Sequence, residues 1–384
     1  MMDYAFSSSE TELRSDLREL IGESMPADYP GIFVENFEEP LAASWAFCRK
    51  LGAQNLLTRA WPRQYGGDDA SVWSQVVFNE EMWAHNEPRG GQYMGVTWIG
   101  PALITFGNEA QREQHLPGIA SGDVQWCQGF SEPDAGSDLA SLTTRATKVE
   151  GGFRVQGQKV WTSYASHAQY CVLAARTSVL ERKQDGLTVF LVPMDREGIT
   201  VRRIPTMLGP NHFHEVFFDD VFVENVEVLG TVDHGWEIMT AGLAFERVGI
   251  PRYARADRIL AEAREATQGG SPAASTDLAA AMVHVLVARL LNYRNYDGRV
   301  RGEETPAGGP IARIASTLVE QEVADVAMDM AGVTALAPDA PGTHPALGHL
   351  EHHWRYAQAA TVAAGALEIQ KMLVGRRLLS PRRG

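Results

Sequence analysis

Three cysteines, Cys48, Cys127 and Cys171, stand far apart in a chain of 384 residues. They are too few and too scattered for a disulfide framework, which predicts a reducing, cytoplasmic setting. No stretch approaches the ~20 uninterrupted apolar residues that a membrane span needs. The opening "MMDYAFSSSETELRSDLREL" has neither the positive start nor the apolar core of a signal peptide. No basic tract precedes the closing "GRRLLSPRRG", and the formal net charge is -14. Nucleic acid is therefore not an expected partner, and neither is a membrane. No internal repeat is found and no metal site is expected.

What is present reads as an ordinary globular composition, 45% hydrophobic and 21% charged. The length exceeds one compact core, so two or three domains are expected. Residues 1–123 read helical. "SSSETELRSDLRELIGE" offers serine caps followed by Leu13, Leu17, Leu20 and Ile21 at helical spacing. "EPLAASWAFCRKLGAQN", "DDASVWSQVVFNEEMWAHN" and "WIGPALITFGNEAQREQHLPGIASGD" continue the pattern, and "AWPRQYGG" is a Pro/Gly turn. Over 124–234 the period becomes two. "LTTRATKVEGGFRVQGQKVWTSYA", "QYCVLAARTS", "GLTVFLVPMD", "ITVRRIP" and "HEVFFDDVFV" predict short strands of a sandwich or barrel. Residues 235–384 return to helical spacing, with "TQGGSPAASTD" and "ALAPDAPGTHPALG" read as loops.

Three segments carry chemistry. "FSEPDAGSDLAS", residues 130–141, brings backbone amides and hydroxyls together, as a plain surface turn or as a loop around an anionic or heteroaromatic ligand. "KVWTSYA" sets a tryptophan before two hydroxyl residues, either as a core strand or as a stacking platform with donors beside it. "LAFERVGI" places Glu246 and Arg247 inside an apolar run, where charges occur only when paired or functional. On a helix, Gly242 at i−4 and Gly249 at i+3 lie on the same face as Glu246. Each costs helix stability of about 1 kcal/mol relative to alanine, which fits a close ligand approach.

Taken together and in order, these segments resemble the acyl-CoA dehydrogenase family along nearly the whole chain. The matching stretches include "AWPRQYGG", "FGNEAQREQHLPGIASGD", "FSEPDAGSDLASLTTRA", "VQGQKVWTS", "FFDDVFVENVEVLG", "ERVGI" and "GALEIQKMLVGRRLL". The resemblance implies an α+β multidomain fold with an N-terminal helical domain, a central β-barrel or sandwich and a C-terminal four-helix bundle. It implies FAD as cofactor and an acyl-CoA, or an acyl-carrier thioester, as substrate. The α-proton leaves to a base and hydride passes from the β-carbon to flavin N5. An electron-transfer flavoprotein or similar acceptor then takes the electrons.

By the same resemblance, the backbone around Gln128 and Phe130 and the Ser131 side chain face the flavin's pyrimidine edge. Trp161 lies against the ring system, with Thr162 beside it, and Ser163 bonds near N5. Ser137 sits near the phosphopantetheine or the pyrophosphate. Ala366 and Glu368 take carboxy-terminal positions that touch FAD in relatives.

Many members carry the base before a glycine near the carboxy terminus, where this chain has Ala364 before Gly365. Alanine cannot take a proton, though its backbone N–H still serves the thioester carbonyl. A subset carries the glutamate on the first long helix after the β domain, directly before an arginine. Glu246 and Arg247 match that pair, with Glu246 as base and Arg247 on the substrate side fixing its position. The segment "TQGGSPAASTD" lacks the arginine and phenylalanine that relatives extend to a neighbouring subunit's FAD. The implied assembly is a homotetramer or an α2β2 heterotetramer in which a sister chain donates that motif. The alternatives are a flavin monooxygenase on the same fold and a non-catalytic subunit of a heteromer.

Overall fold

The computed structural model describes residues 5–27, 29–31, 38–246, 249–267, 272–303, 305–337, 344, 346–363 and 365–379, without the side chains of 210, 211, 243–246 and 272–275. Helix α1 (Ser8–Ser24) starts where its sequence signals a cap. The Ser7 side chain accepts from the Glu10 amide, and the Glu10 carboxylate accepts from the Ser7 amide at 2.8 Å. Leu17 and Ile21 are buried and Leu13 and Leu20 pack against the same core. Then follow α2 (Glu38–Ala53), α3 (Val72–Ala84), α4 (Gln92–Met94), a π-helical turn at Gly95–Ile99, α5 (Gly100–Phe106) and α6 (Glu109–Ser121).

The strands are β1 (Trp126–Gly129), β2 (Arg145–Val149), β3 (Gly152–Ser163), β4 (Tyr170–Arg176), β5 (Leu187–Pro193), β6 (Ile199–Thr206), β7 (Gly209–Glu224) and β8 (Val228–Leu229). They form one sheet in the order β6-β7-β3-β2-β4-β5-β8, with β1 joined to β4 in parallel. Both faces of β4 and β5 are covered. Val172, Ala174, Val189 and Leu191 pack on the N-terminal helices, while Cys171, Leu173, Phe190 and Val192 pack with Phe153, Val216 and Phe218. Such two-sided burial explains the near-continuous apolar run of these strands.

Beyond the sheet come α7 (Gly235–Glu246), α8 (Ile250–Ala266), α9 (Pro272–Arg301), α10 (Gly308–Ala331), α11 (Ala346–Ala359) and α12 (Leu367–Leu379). Tyr253, Ile259, Val285, Val319, Val323 and Leu350 knit α8 to α11 into a second core. The chain therefore has a helical N-terminal domain, a central sheet domain and a helical C-terminal domain.

Two local expectations need correction. The second half of "TQGGSPAASTD" is the start of α9 rather than loop, because proline is tolerated in a first helical turn. The helix through "AFERVGI" is not continuous. Gly249 stands between α7 (Gly235–Glu246) and α8, which begins at Ile250 with Gly249 as its N-cap.

Candidate active site

The strand β3 carries the first part of the site. Phe153, Val155 and Lys159 point inward, so alternation would bury Trp161 as well. It does not, because β3 has one residue too many between the pairs Lys159↔Val216 and Thr162↔His214. A bulge of this kind reverses the alternation. Trp161 is turned out to 57% exposure at φ 58°, in the left-handed region that a bulky residue seldom occupies. Its ring is held edge-on to Phe213 at 5.8 Å. A strained, exposed tryptophan at a bulge is a feature a core strand does not need.

Beneath it lies an ion pair. Lys159 Nζ donates to Glu132 Oε1 at 2.7 Å and to the Phe130 carbonyl at 3.0 Å. Glu132 also accepts from the Thr143 amide and hydroxyl at 2.6 and 2.8 Å and from the Thr144 amide at 2.8 Å. Burial works against the Glu132 charge, but Lys159 and these donors outweigh it and hold the carboxyl down at about 2. Burial also pulls the Lys159 ammonium down to about 8, against the Glu132 charge that raises it. The two shifts run the same way because the lysine is fully enclosed with two acceptors, whereas four donors share the carboxylate. A further bond from the Val160 amide to the Ser131 carbonyl, 2.9 Å, fastens the two segments side by side.

The fold thus brings Gln128, Phe130 and Ser131 next to Trp161, Thr162 and Ser163. Gln128, Ser131 and Ser163 are half-buried, and Phe130 is buried against Trp98 at 5.7 Å between ring centroids. Thr162 departs from the sequence expectation. Its side chain is wholly buried with an unpartnered Oγ1, so only its backbone can face a cofactor. Ser137 is exposed in the loop whose next residue, Asp138, bonds Lys183. An exposed indole flanked by half-buried polar groups suits a flat heteroaromatic cofactor, so these residues fit a flavin.

The second part of the site is the junction of α7 and α8. Glu246 is the last residue of α7, while Arg247 and Ala364 lie outside the described residues. The two glycines have another explanation than ligand approach. A Cβ on Gly242 would stand 2.7 Å from Trp98 Cε3, and one on Gly249 would meet Ser316 and Asn292 side chains at 2.4–2.5 Å. They admit neighbouring side chains. Trp98 comes from the π-helical turn, so one indole touches both α7 and Phe130 of the segment after β1.

Directly after this junction, Ile250 and Pro251 line a cavity of 360 Å³ whose walls include Trp61, Phe78, Trp83, Tyr93 and Tyr296. The Trp61 ring is fixed by its Nε1 donating to the Val96 carbonyl at 3.0 Å.

The third part is the loop between α11 and α12. Arg252 Nη2 donates to the Ala360 carbonyl at 2.9 Å, and Arg313 Nη2 donates to the Ala363 carbonyl. Ala366 is half-buried and Glu368 exposed at the start of α12. Side chains of α8 and α10 and bonds within the loop secure it, and among the described residues no hydrogen bond joins Ala366 or Glu368 to the sheet site. Sequence reasoning missed Glu132, Lys159, Arg252 and Arg313. A lysine at an inward position of β3 was the one available signal.

Family models match all three parts of the chain. They describe the acyl-CoA dehydrogenase N-terminal domain at residues 7–123, the middle domain at 127–221 and the C-terminal domain at 233–379. The chain belongs to the acyl-CoA dehydrogenase family, which are flavin-dependent oxidoreductases. It is 31% identical to acyl-CoA dehydrogenase IpdE1 of Mycolicibacterium smegmatis, over 96% of this chain and 97% of that one. Among solved structures it resembles the Tcur3481-Tcur3483 steroid ACAD, at 30% identity and TM-score 0.88 over the whole of both chains. The ChsE4-ChsE5 complex from Mycobacterium tuberculosis matches at 27% identity and TM-score 0.88, again over the whole of both chains. Among the described residues, no helix is long and apolar enough to cross a membrane.

Proposed function

We propose that this chain catalyses FAD-dependent α,β-dehydrogenation of an acyl-CoA thioester with Glu246 as general base. The observation that carries the reading is the place of Glu246 in the chain. It is the last described residue of α7, and the next described turn, Ile250 and Pro251, forms a wall of the cavity. Taking an α-proton requires a carboxylate beside the carbon, away from bulk water, and donors on the thioester oxygen. In this reading Arg247 fixes the Glu246 carboxylate, and the N–H of Ala364 donates to the thioester oxygen. Gln128, Ser131 and Ser163 hold the polar edge of FAD, with backbone from Phe130 and Thr162. Trp161 supports its ring system, Ser137 lies toward the phosphates or the pantetheine, and Ala366 and Glu368 complete the cofactor contacts. FAD, when bound, supplies the two-electron acceptor, which an electron-transfer flavoprotein or similar partner reoxidises.

We read the acyl group as ring-bearing. The cavity lining includes the aromatic rings of Trp61, Phe78, Trp83, Tyr93 and Tyr296, and one relative of known structure is named for steroid chemistry. The assembly is an oligomer of two kinds of chain. Two related structures carry two-chain names, and α9 exposes Met282, Val283, Leu286 and Val287 along one side. Anaerobic titration of the purified flavoprotein with steroid-derived and straight acyl-CoAs tests the reading. Flavin bleaching by a ring-bearing acyl-CoA supports it. Bleaching only by an external reductant would instead mark a monooxygenase.

A further inference from the structure

The grip on the α11–α12 loop is stronger than a helix end requires. Ala363 lies four residues beyond the end of α11 and is exposed, so water alone would satisfy its carbonyl. Two guanidinium groups from the protein interior reach it instead. Arg313, on α10, is 2% exposed and donates to that oxygen. Arg252, on the first turn of α8, is 6% exposed. It bonds Ala360 at 2.9 Å and comes within 3.5 Å of the Ala363 oxygen. The aim of Arg252 is fixed from behind, by Thr317 Oγ1 at 3.2 Å from Nε and Glu320 at 3.7 Å from Nη1. Holding buried cations against an exposed peptide is an unusual use of two arginines.

The Ala363 carbonyl belongs to the same peptide group as the N–H of residue 364. A cationic donor on an amide oxygen draws electron density through the amide and makes its N–H a better donor. We propose that Arg313, with Arg252 setting the loop, polarises the Ala363–Ala364 peptide so that its N–H holds negative charge on the thioester oxygen. This rests on the reading that the Ala364 N–H faces that oxygen. The arginines touch neither substrate nor cofactor, so they are positioning residues. Arg252 also ties that loop to α8, six residues beyond Glu246, so base and oxygen donor share one anchor.

The test uses the FAD-loaded oligomer and para-dimethylaminocinnamoyl-CoA, an enoyl thioester whose absorption moves to longer wavelength as its carbonyl is polarised. The wild type is expected to shift the band to the red. Arg313→Met should bind the probe within about threefold as tightly but lose most of the shift. Its flavin reduction at saturating acyl-CoA should slow about tenfold, less than the loss of a direct oxyanion donor. Arg313→Lys, which keeps the charge, should recover part of both. Arg252→Lys gives a second, milder variant should Arg313→Met not hold FAD, and its shift should fall between the two. A full red shift in a variant whose rate has dropped overturns the proposal, because the arginines would then only stabilise the loop. A wild type that binds the probe with no shift removes the oxyanion reading itself, and the relay with it.

Discussion

Lys159 and Glu132 meet at 2.7 Å, one from β3 and one from the loop after β1, and both are buried. Their contact fixes the distance between the two segments that the sequence marks as cofactor-binding. Removing one partner leaves a buried charge alone, which costs about 3–5 kcal/mol. Lys159→Met should therefore lower the melting temperature and release flavin, and adding Glu132→Gln should restore part of both. Calorimetry with flavin absorbance checks this. Flavin retained at wild-type level in Lys159→Met would contradict it.

The same pair sets an acid limit. The folded Glu132 carboxyl titrates at about 2, below its ordinary 4.5. A depressed carboxylate contributes stability that is complete above the unfolded value and is lost as pH falls from about 4.5 toward 2. The amount is on the order of 3 kcal/mol. Lys159→Met gives up most of it, so its acid unfolding, followed by circular dichroism, should begin at a higher pH than that of the wild type. Coincident acid transitions would show that the pair does not stabilise the fold.

Trp161 is expected to matter to the cofactor and not to the fold. It is 57% exposed and its left-handed backbone is strained. Trp161→Ala should leave the apoprotein's melting temperature unchanged or slightly higher. It should weaken FAD binding by about tenfold, the upper range for an aromatic contact. Unchanged FAD affinity by fluorescence titration would remove Trp161 from the site.

Legibility in the sequence follows the range of the interaction. The capping box at Ser7 and Glu10 and the alternation of β3 through Val155 are local, and both are readable. The outward turn of Trp161 depends on pairing with a strand about fifty residues later, so its composition cannot announce it. The break at Gly249 has the same character, since Asn292 and Ser316 fill the space where a side chain would stand. Ala364 could be read as a missing base because the family resemblance marks that position and alanine cannot take a proton. The arginines that hold the adjoining carbonyl are 50 and 111 residues away on other helices, and nothing local distinguishes them from surface charges.

Gly242 separates packing from ligand contact. Its missing Cβ makes room for Trp98, at 2.7 Å. Gly242→Ala should destabilise the protein by about 1–3 kcal/mol through overpacking. Pairing it with Trp98→Phe should recover part of the loss in denaturant unfolding. A raised KM with unaltered stability would return the glycine to the ligand.

The central claim is that Glu246 takes the α-proton. Glu246→Gln keeps the side chain's size and one acceptor but cannot accept a proton. Wild type and variant, both loaded with FAD, are mixed anaerobically with an acyl-CoA that bleaches the wild type, and flavin absorbance is followed by stopped flow. The account predicts nearly unchanged binding and flavin reduction slowed by at least ~10²-fold, the lower end of a general base's contribution. Reduction of the Glu246→Gln flavin at the wild-type rate would contradict it and leave Glu246 as a structural end to α7.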